Sequence, residues 1–416
     1  MYRRAQWSSF VRIRYYRNAS GGLQAKARVF DHTEHSIDSA NVDKEVVAIV
    51  RRLASHGYSA YLVGGAVRDL LLGKRPKDFD IVTDALPNRI RKIFSNSRII
   101  GKRFKLVHVY ANRKIYEVAT FRSLSTGTVG NEYGTIDEDV ARRDFTVNAL
   151  YYDPLALEVL DFLGGMEDLR AGRLKAIIPL DRIFREDPVR MVRGVKYAAV
   201  NHFSISISLR FAIHRDAPLI SEVSPSRLAE EFYKIIASGK SAIIVQALDK
   251  YGLLQYMLPE VHASIHRDRS FREAFFQHLS SLDLSTQAPP EEASLLNSAS
   301  AAEIVQGDRR LISPFLGWFI RQRLRSFAAQ DAISKDPSFF RHEAFSDIRA
   351  FLAPLNLPRV ALEDAMEQVL QEDGLLPAPP PPKRRKRGPR KRKPQLHLES
   401  THTESAHVQP PSADLS

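Results

Sequence analysis

The sequence predicts an α+β protein: an α/β head to about residue 165, then helices, then a basic tail. Three observations predict it. Short apolar runs with period-two alternation interleave with helical spacings up to residue 165. From Arg170 onward the apolar residues recur three and four apart. Pro377 to Pro382 then opens a segment dominated by lysine and arginine.

The head begins near Asp43, where Val46, Val47, Val50 and Leu53 fall at helical spacing and Gly57 closes the helix. Tyr58 to Val63 reads as a strand, followed by a Gly-Gly turn and a short helix ending at Gly73. Phe79 to Val82 is a second strand, and Pro87 opens a helix to about Phe94. Lys105 to Tyr110 and Ile115 to Phe121 read as strands joined by the polar turn Asn112-Arg113. Beyond the head, Arg185 to Val200, Arg227 to Ser238, Ala242 to Leu254, Leu311 to Phe327 and Phe345 to Leu370 carry helical spacing. Asp283 to Gln306 is rich in Ser, Ala and Glu without aromatics, and reads as a mobile insertion.

A chain of 416 residues that is 44% hydrophobic can bury two or more cores. It has no cysteine, which excludes disulfides, thiolate zinc sites and thiol catalysis and fits a cytoplasmic setting. No run of about 18 apolar residues is present, so no membrane span is expected. The net charge of +13 favours a polyanionic partner. Most of it sits in Lys383, Arg384, Arg385, Lys386, Arg387, Arg390, Lys391, Arg392 and Lys393. Such a run is a disordered tail and, functionally, a sequence-blind tether for RNA. Residues 1–30 lack acids and mix arginines with aromatics, as a transit peptide, a basic RNA-binding arm or an over-long start would. Residues 1–40 are therefore expected to be a flexible extension outside the folded core.

The chemistry concentrates in Asp78-Phe79-Asp80, fourteen residues after Gly64. On a strand, two carboxylates separated by one apolar residue share a face and repel unless a cation lies between them. Mg²⁺ or Mn²⁺ suits such oxygens and leaves positions for substrate phosphates. Gly64-Gly65 lets the backbone approach those phosphates. Glu117, flanked by Ile115, Val118 and Ala119, is a candidate third carboxylate, although a lone strand acid is more often a surface residue. Two ions about 3.5–4 Å apart would clamp the attacking hydroxyl and the triphosphate.

Arg142, Arg143, Asp144 and Asn148 read as a helix with Asp144 and Asn148 at i and i+4. Either could take the ribose hydroxyls while the arginines take phosphates; an ordinary Arg/Asp pair is the plainer alternative. In Arg185-Glu186-Asp187-Pro188-Val189-Arg190, extended to Arg193, acceptors lie beside forked donors. A carboxylate beside an arginine matches the amine and ring-nitrogen acceptor of adenine or cytosine, and rejects guanine and uracil. Surface salt bridges at a helix start are the plainer reading of that motif too.

The runs LVGGAVRDLLLGKRPKDFDIVT, YEVATFR, RRDFTVNALYYD, DFLGGMEDL and REDPVRMVRGVKYAA resemble the class II nucleotidyltransferases, which comprise bacterial poly(A) polymerases and CCA-adding tRNA nucleotidyltransferases. The resemblance covers roughly residues 58 to 260. It implies a five-stranded catalytic head (41–165), a helical neck for base selection (166–260), a helical RNA-binding body (261–376) and the basic tail (377–416). It further implies Mg²⁺ at Asp78 and Asp80, Asp144 near the sugar, and Gly64, Gly65 and Arg68 on the triphosphate. Glu186, Asp187 and Arg190 would select the base. Ile99 to His108 and the basic tail resemble the poly(A) branch, which implies AMP transfer from ATP to RNA 3′ ends, mRNA first and tRNA second. CCA addition and a non-catalytic RNA-binding protein are the alternatives.

Overall fold

The computed structural model describes residues 12–17, 23–101, 105–124, 133–286, 315–322, 337–355 and 359–372. The tail, Leu311 to Ser313 and most of the Ser/Ala/Glu-rich segment lie outside the described residues. No helix among them is long and apolar enough to cross a membrane.

Nine strands form one mixed sheet: β1 (Arg12–Arg17), β2 (Leu23–Phe30), β3 (Ala60–Val63), β4 (Asp80–Thr83), β5 (Ser97–Ile100), β6 (Leu106–Ala111), β7 (Lys114–Thr120), β8 (Leu150–Asp153) and β9 (Glu158–Asp161). Their order is β1-β2-β9-β8-β3-β4-β7-β6-β5. Among the described residues of this sheet, only β4 and β7 pair in parallel, with Asp80 opposite Glu117. Alternation divides the core in two. Ala60, Leu62, Ile81, Tyr116 and Val118 join the large apolar cluster beneath the sheet. Tyr61, Val63, Val82, Tyr151 and Leu160 join a smaller cluster on the opposite face. Asp80 and Glu117 follow the parity of that second face.

The N-terminal segment corrects one expectation. β2 pairs with β9, Val29 opposite Leu160, and Ala27 is fully buried. The expected five strands are thereby extended rather than replaced. Ala27 and Val29 are buried and Arg28 between them is exposed, as the alternation of a strand requires.

The first helices are α1 (Lys44–Ser55), α2 (Gly65–Leu71), α3 (Pro87–Ile93), α4 (Ile136–Ala141) and α5 (Gly165–Arg170). Thr135 and Glu138 cap α4 reciprocally, which fixes where it starts. A two-stranded parallel ladder, β10 (Arg173–Leu174) with β11 (Ser204–Ile205), leads into the helical half. There α6 (Ile183–Glu186) ends at Asp187, and α7 (Val189–Asn201) begins after Pro188. The single helix expected from Arg185 is thus two, because proline supplies no amide hydrogen to continue the ladder. Gly194 lets α7 settle on the head: a Cβ there would meet the Phe145 ring at 2.7 Å.

Next come α8 (Ile207–Asp216), α9 (Pro225–Ile236), α10 (Ser241–Lys250), α11 (Leu254–Met257), α12 (Pro259–Arg267) and α13 (Arg269–Thr286). A helix over residues 315–322 (α14), α15 (Pro337–Phe351) and α16 (Arg359–Glu372) complete the described part. The expected helix from Phe345 to Leu370 is two helices, interrupted near Pro354. Phe275 and Phe319 are fully buried beside Trp318 and Phe351. The apolar cluster runs without a break across residue 260.

Asp283 on α13 reaches back to the start of α10. Its carboxylate accepts from Ser241 N at 2.7 Å, Ser241 Oγ at 2.8 Å and Ala242 N at 3.0 Å. These satisfy amides that open a helix, in a buried place. Asp283→Ala is expected to cost about 2 kcal/mol of stability. A urea midpoint indistinguishable from wild type would show that the cap contributes nothing.

Candidate active site

A cavity of about 840 Å³ opens where the head meets α7 and α9. The bend before β4 brings Asp78 and Asp80 to it, the β3–α2 turn brings Gly64 and Gly65, and α7 brings Arg190, Arg193 and Tyr197. Among the described residues, eleven lysines and arginines line it against five aspartates. That excess suits a ligand carrying several negative charges, while both members of the acid pair remain together at the wall.

Gly64 has φ +71° and ψ −136°, a conformation a side chain would strain, and a Cβ there would lie 3.6 Å from Asp80 Oδ2. The turn therefore abuts the acid pair closely. Asp80 is pushed up to about 6, first by desolvation, then by Glu117, with Asp78 adding to it. Arg143 and Arg193 pull the other way and do not prevail. Asp80 keeps accessible surface, so this is a crowded cleft rather than a sealed core. Asp80 is thus poorly compensated by the protein, and the paired carboxylate oxygens fit a hard divalent cation.

Glu117 stands opposite Asp80 in the ladder but is half exposed, with His108 Nε2 at 3.4 Å, and does not line the cavity. Its effect on Asp80 is electrostatic.

Asp144 and Asn148 also line the cavity, but not from a helix. α4 stops at Ala141, and extended Phe145 forms an antiparallel bridge with Ala176, Ile177 N donating to Asp144 O and Thr146 N to Lys175 O. Asp144 Oδ1 accepts from its neighbour Phe145 N at 2.8 Å, a local bond that competes with helix formation. A short 3₁₀ turn over Thr146–Asn148 then returns Asn148 Nδ2 to 3.2 Å from Asp144 Oδ1. The two side chains meet as expected, by another route. Arg193 Nη2 lies 2.9 Å from Asp144 Oδ2, yet its hydrogens are aimed elsewhere, Nη2 donating to Tyr197 Oη at 3.2 Å. Asp144 Oδ2 thus accepts no hydrogen bond among the described residues.

Arg68 departs from its expected place. It is 7% exposed, donates to Asn148 Oδ1 at 2.8 Å and to Asp69, and stacks on Tyr197 at 4.9 Å. It braces the wall from behind and does not line the cavity. Glu186 also lies outside the lining, bound to Arg182 at 2.7 Å and Arg190 at 3.2 Å. Asp187, paired with Arg227 at 2.6 Å, and Arg190 do line it. Lys383 to Lys393 fall outside the described residues.

The sequence reading missed Asp139, which is fully buried. It binds Arg142 Nη2 at 2.5 Å, Arg143 Nη2 at 2.8 Å and Tyr151 Oη at 2.7 Å. Burial alone would push its carboxyl up, but Arg143, Arg142 and the Tyr151 hydroxyl together hold it well below the carboxylate range. It positions both arginines at the cavity, since Arg143 Nε also donates to Tyr151 Oη at 3.0 Å. The signal was an acid three and four residues before Arg142-Arg143, at helical spacing. Tyr197, four residues beyond Arg193, carried the same kind of signal.

Comparison with known proteins places this cavity in a wider setting. Residues 60–175 match a family described as "Poly A polymerase head domain", and residues 202–265 one described as "Probable RNA and SrmB- binding site of polymerase A". The chain is 39% identical over 274 residues to poly(A) polymerase I of Salmonella typhi, covering 61% of this chain and 59% of that protein. It is 36% identical over 222 residues to the CCA-adding enzyme of Geobacillus thermodenitrificans, covering 51% and 54%. It therefore spans less than two thirds of the length of these relatives. Among solved structures, the Bacillus stearothermophilus CCA-adding enzyme in complex with CTP aligns with a TM-score of 0.51 and 26% identity, over 79% of this chain and 82% of that one.

Proposed function

The chain belongs to the class II nucleotidyltransferase family, and from that premise we propose that it adds AMP from ATP to RNA 3′ ends without a template, releasing pyrophosphate. The observation that carries this reading is the cavity itself: one acid pair set among many cationic side chains. Polyphosphate and RNA both need the cations, and the acid pair needs a divalent ion.

Asp78 and Asp80 would hold that ion, Mg²⁺ or Mn²⁺, with Glu117 supporting through its charge. Bound there, it would lower the pKa of the attacking 3′-hydroxyl and neutralise the leaving pyrophosphate. The side chains do the positioning. Arg143, fixed by Asp139 and Tyr151, and Arg193, beside Tyr197, face the triphosphate. The Gly64-Gly65 backbone lets the phosphates approach the acids, and Arg68 holds Asn148 in place. Asn148 and Asp144, whose Oδ2 is ion-paired with Arg193 at 2.9 Å, take the ribose hydroxyls. Such placement supplies orientation and charge stabilisation rather than covalent chemistry.

Base choice would fall to Asp187 and Arg190, the first accepting from an exocyclic amine and the second donating to the ring nitrogen beside it. Glu186 would set the aim of Arg190, through their 3.2 Å contact. Adenine and cytosine both meet that pattern. The longer and more identical match to a poly(A) polymerase, with the basic tail, supports adenine. The solved neighbour bound to CTP favours CCA addition as a second reading. In the first reading residues 41–165 form the catalytic head, 166–260 the neck, and 261–376 with the tail bind RNA. The setting would be the cytoplasm, and the tails would serve mRNA processing and decay.

Nucleotide choice separates the two. With a generic RNA primer, ATP is expected to be incorporated repeatedly and CTP poorly. Efficient CTP incorporation into tRNA lacking its CCA end, stopping after two residues, would overturn the poly(A) reading and favour the other.

A further inference from the structure

A second cluster of ligating side chains lies outside the cavity. His262 and His266 stand at i and i+4 on α12, so their imidazoles share one face. Asp249, in the last turn of α10, faces them. His266 Nε2 lies 3.0 Å and His262 Nε2 3.6 Å from the same oxygen, Asp249 Oδ1. The two rings are 4.5 Å apart, and one ligand atom from each of the three residues lies within 4.8 Å of the others.

We propose that Asp249, His262 and His266 form a binding site for a divalent transition-metal ion of the zinc class, with water completing the coordination. The distances carry it. Metal–ligand bonds of about 2.0–2.1 Å in a tetrahedron put neighbouring ligand atoms about 3.3 Å apart. The two His–Asp separations bracket that edge, and the ligand atoms of the two imidazoles lie within 4.8 Å of one another. A plain helix–helix hydrogen bond would need one imidazole on Asp249; here two converge on one oxygen. Two nitrogens and one carboxylate select zinc, cobalt or nickel over magnesium, which prefers an all-oxygen shell. This separates the cluster chemically from the acid pair in the cavity.

The ion would tie α10 to α12. α10 also packs on α7, the helix that presents Arg190 and Arg193 to the cavity. The clamp would therefore brace that helix from behind, and it stands whichever nucleotide the cavity takes.

The test uses the full chain, stripped with chelator and then titrated with Co²⁺ and with Zn²⁺. Co²⁺ is expected to give the visible bands of a tetrahedral site, to be displaced by Zn²⁺, and Zn²⁺ to raise Tm by a few degrees. His262→Gln, His266→Gln and Asp249→Asn should each weaken binding about tenfold or more and abolish the Tm rise. X-ray absorption on wild type carrying one equivalent of zinc should report two imidazoles. Bands and Tm rise that persist in all three variants, or a zinc shell without two imidazoles, would overturn the proposal.

Discussion

Asp139→Ala is expected to destabilise the protein by about 3–5 kcal/mol, the range for removing one partner from a buried ion network. The substitution leaves Arg142 and Arg143 without the carboxylate that compensates them, and Tyr151 Oη without its acceptor. An exposed pair would contribute far less, but Asp139 has no accessible surface. The pH dependence has a definite sign. A depressed folded pKa contributes stability that is present above the unfolded value and is lost as pH falls toward the folded one. Asp139→Asn should therefore fall short of wild type most at pH 6–8. The gap should narrow below about pH 4, where the unfolded carboxyl begins to protonate. Urea unfolding at pH 7 and pH 3 measures both. A deficit under about 1 kcal/mol at pH 7, or one unchanged at pH 3, would mean the charge is not what matters there.

The features legible in the sequence are those whose physics is local. The Asp78-Phe79-Asp80 spacing implies one face of a strand; Asp80 does open β4, whereas Asp78 lies in the bend before it, and both line the cavity. Asn112-Arg113 implies a tight turn, and both residues have positive φ between β6 and β7. What the sequence obscured depends on partners distant along the chain. β2 looked like a charged arm because its acceptor strand, β9, lies about 130 residues later. Residues 142–148 carry helical spacing, yet β-like bonds to 175–177 and the Asp144 side chain outcompete it. Arg68 reads as a phosphate ligand until Asn148, 80 residues away, turns it into a brace. His262 and His266 formed no part of the sequence reading, because only the fold brings Asp249, on another helix, within 3.0 Å of His266 and 3.6 Å of His262.

Asp80→Asn separates chemistry from stability more sharply than any other single change. Nucleotide incorporation is expected to fall by about 10³-fold or more, because asparagine cannot supply the charge that a divalent ion requires. Metal-free protein should meanwhile become more stable. Asp80 titrates at about 6 in the fold against 3.8 as a free carboxyl, so the folded state grips the proton more tightly. Stability from this group is complete below the unfolded value and is lost as pH rises through 6. At pH 8 the ionised carboxylate strains the cleft against Asp78 and Glu117; asparagine relieves that strain. The gain should be roughly 1 kcal/mol, discounted for the solvent that reaches this side chain, and should vanish near pH 4. Adding Mg²⁺ should reverse the ranking by stabilising wild type alone. Urea unfolding with chelator at pH 8 and pH 4, then with Mg²⁺, reads every sign. A variant that is less stable than wild type at pH 8 without metal would show the acids are not crowded. One that still incorporates nucleotide at the wild-type rate would remove Asp80 from the chemistry.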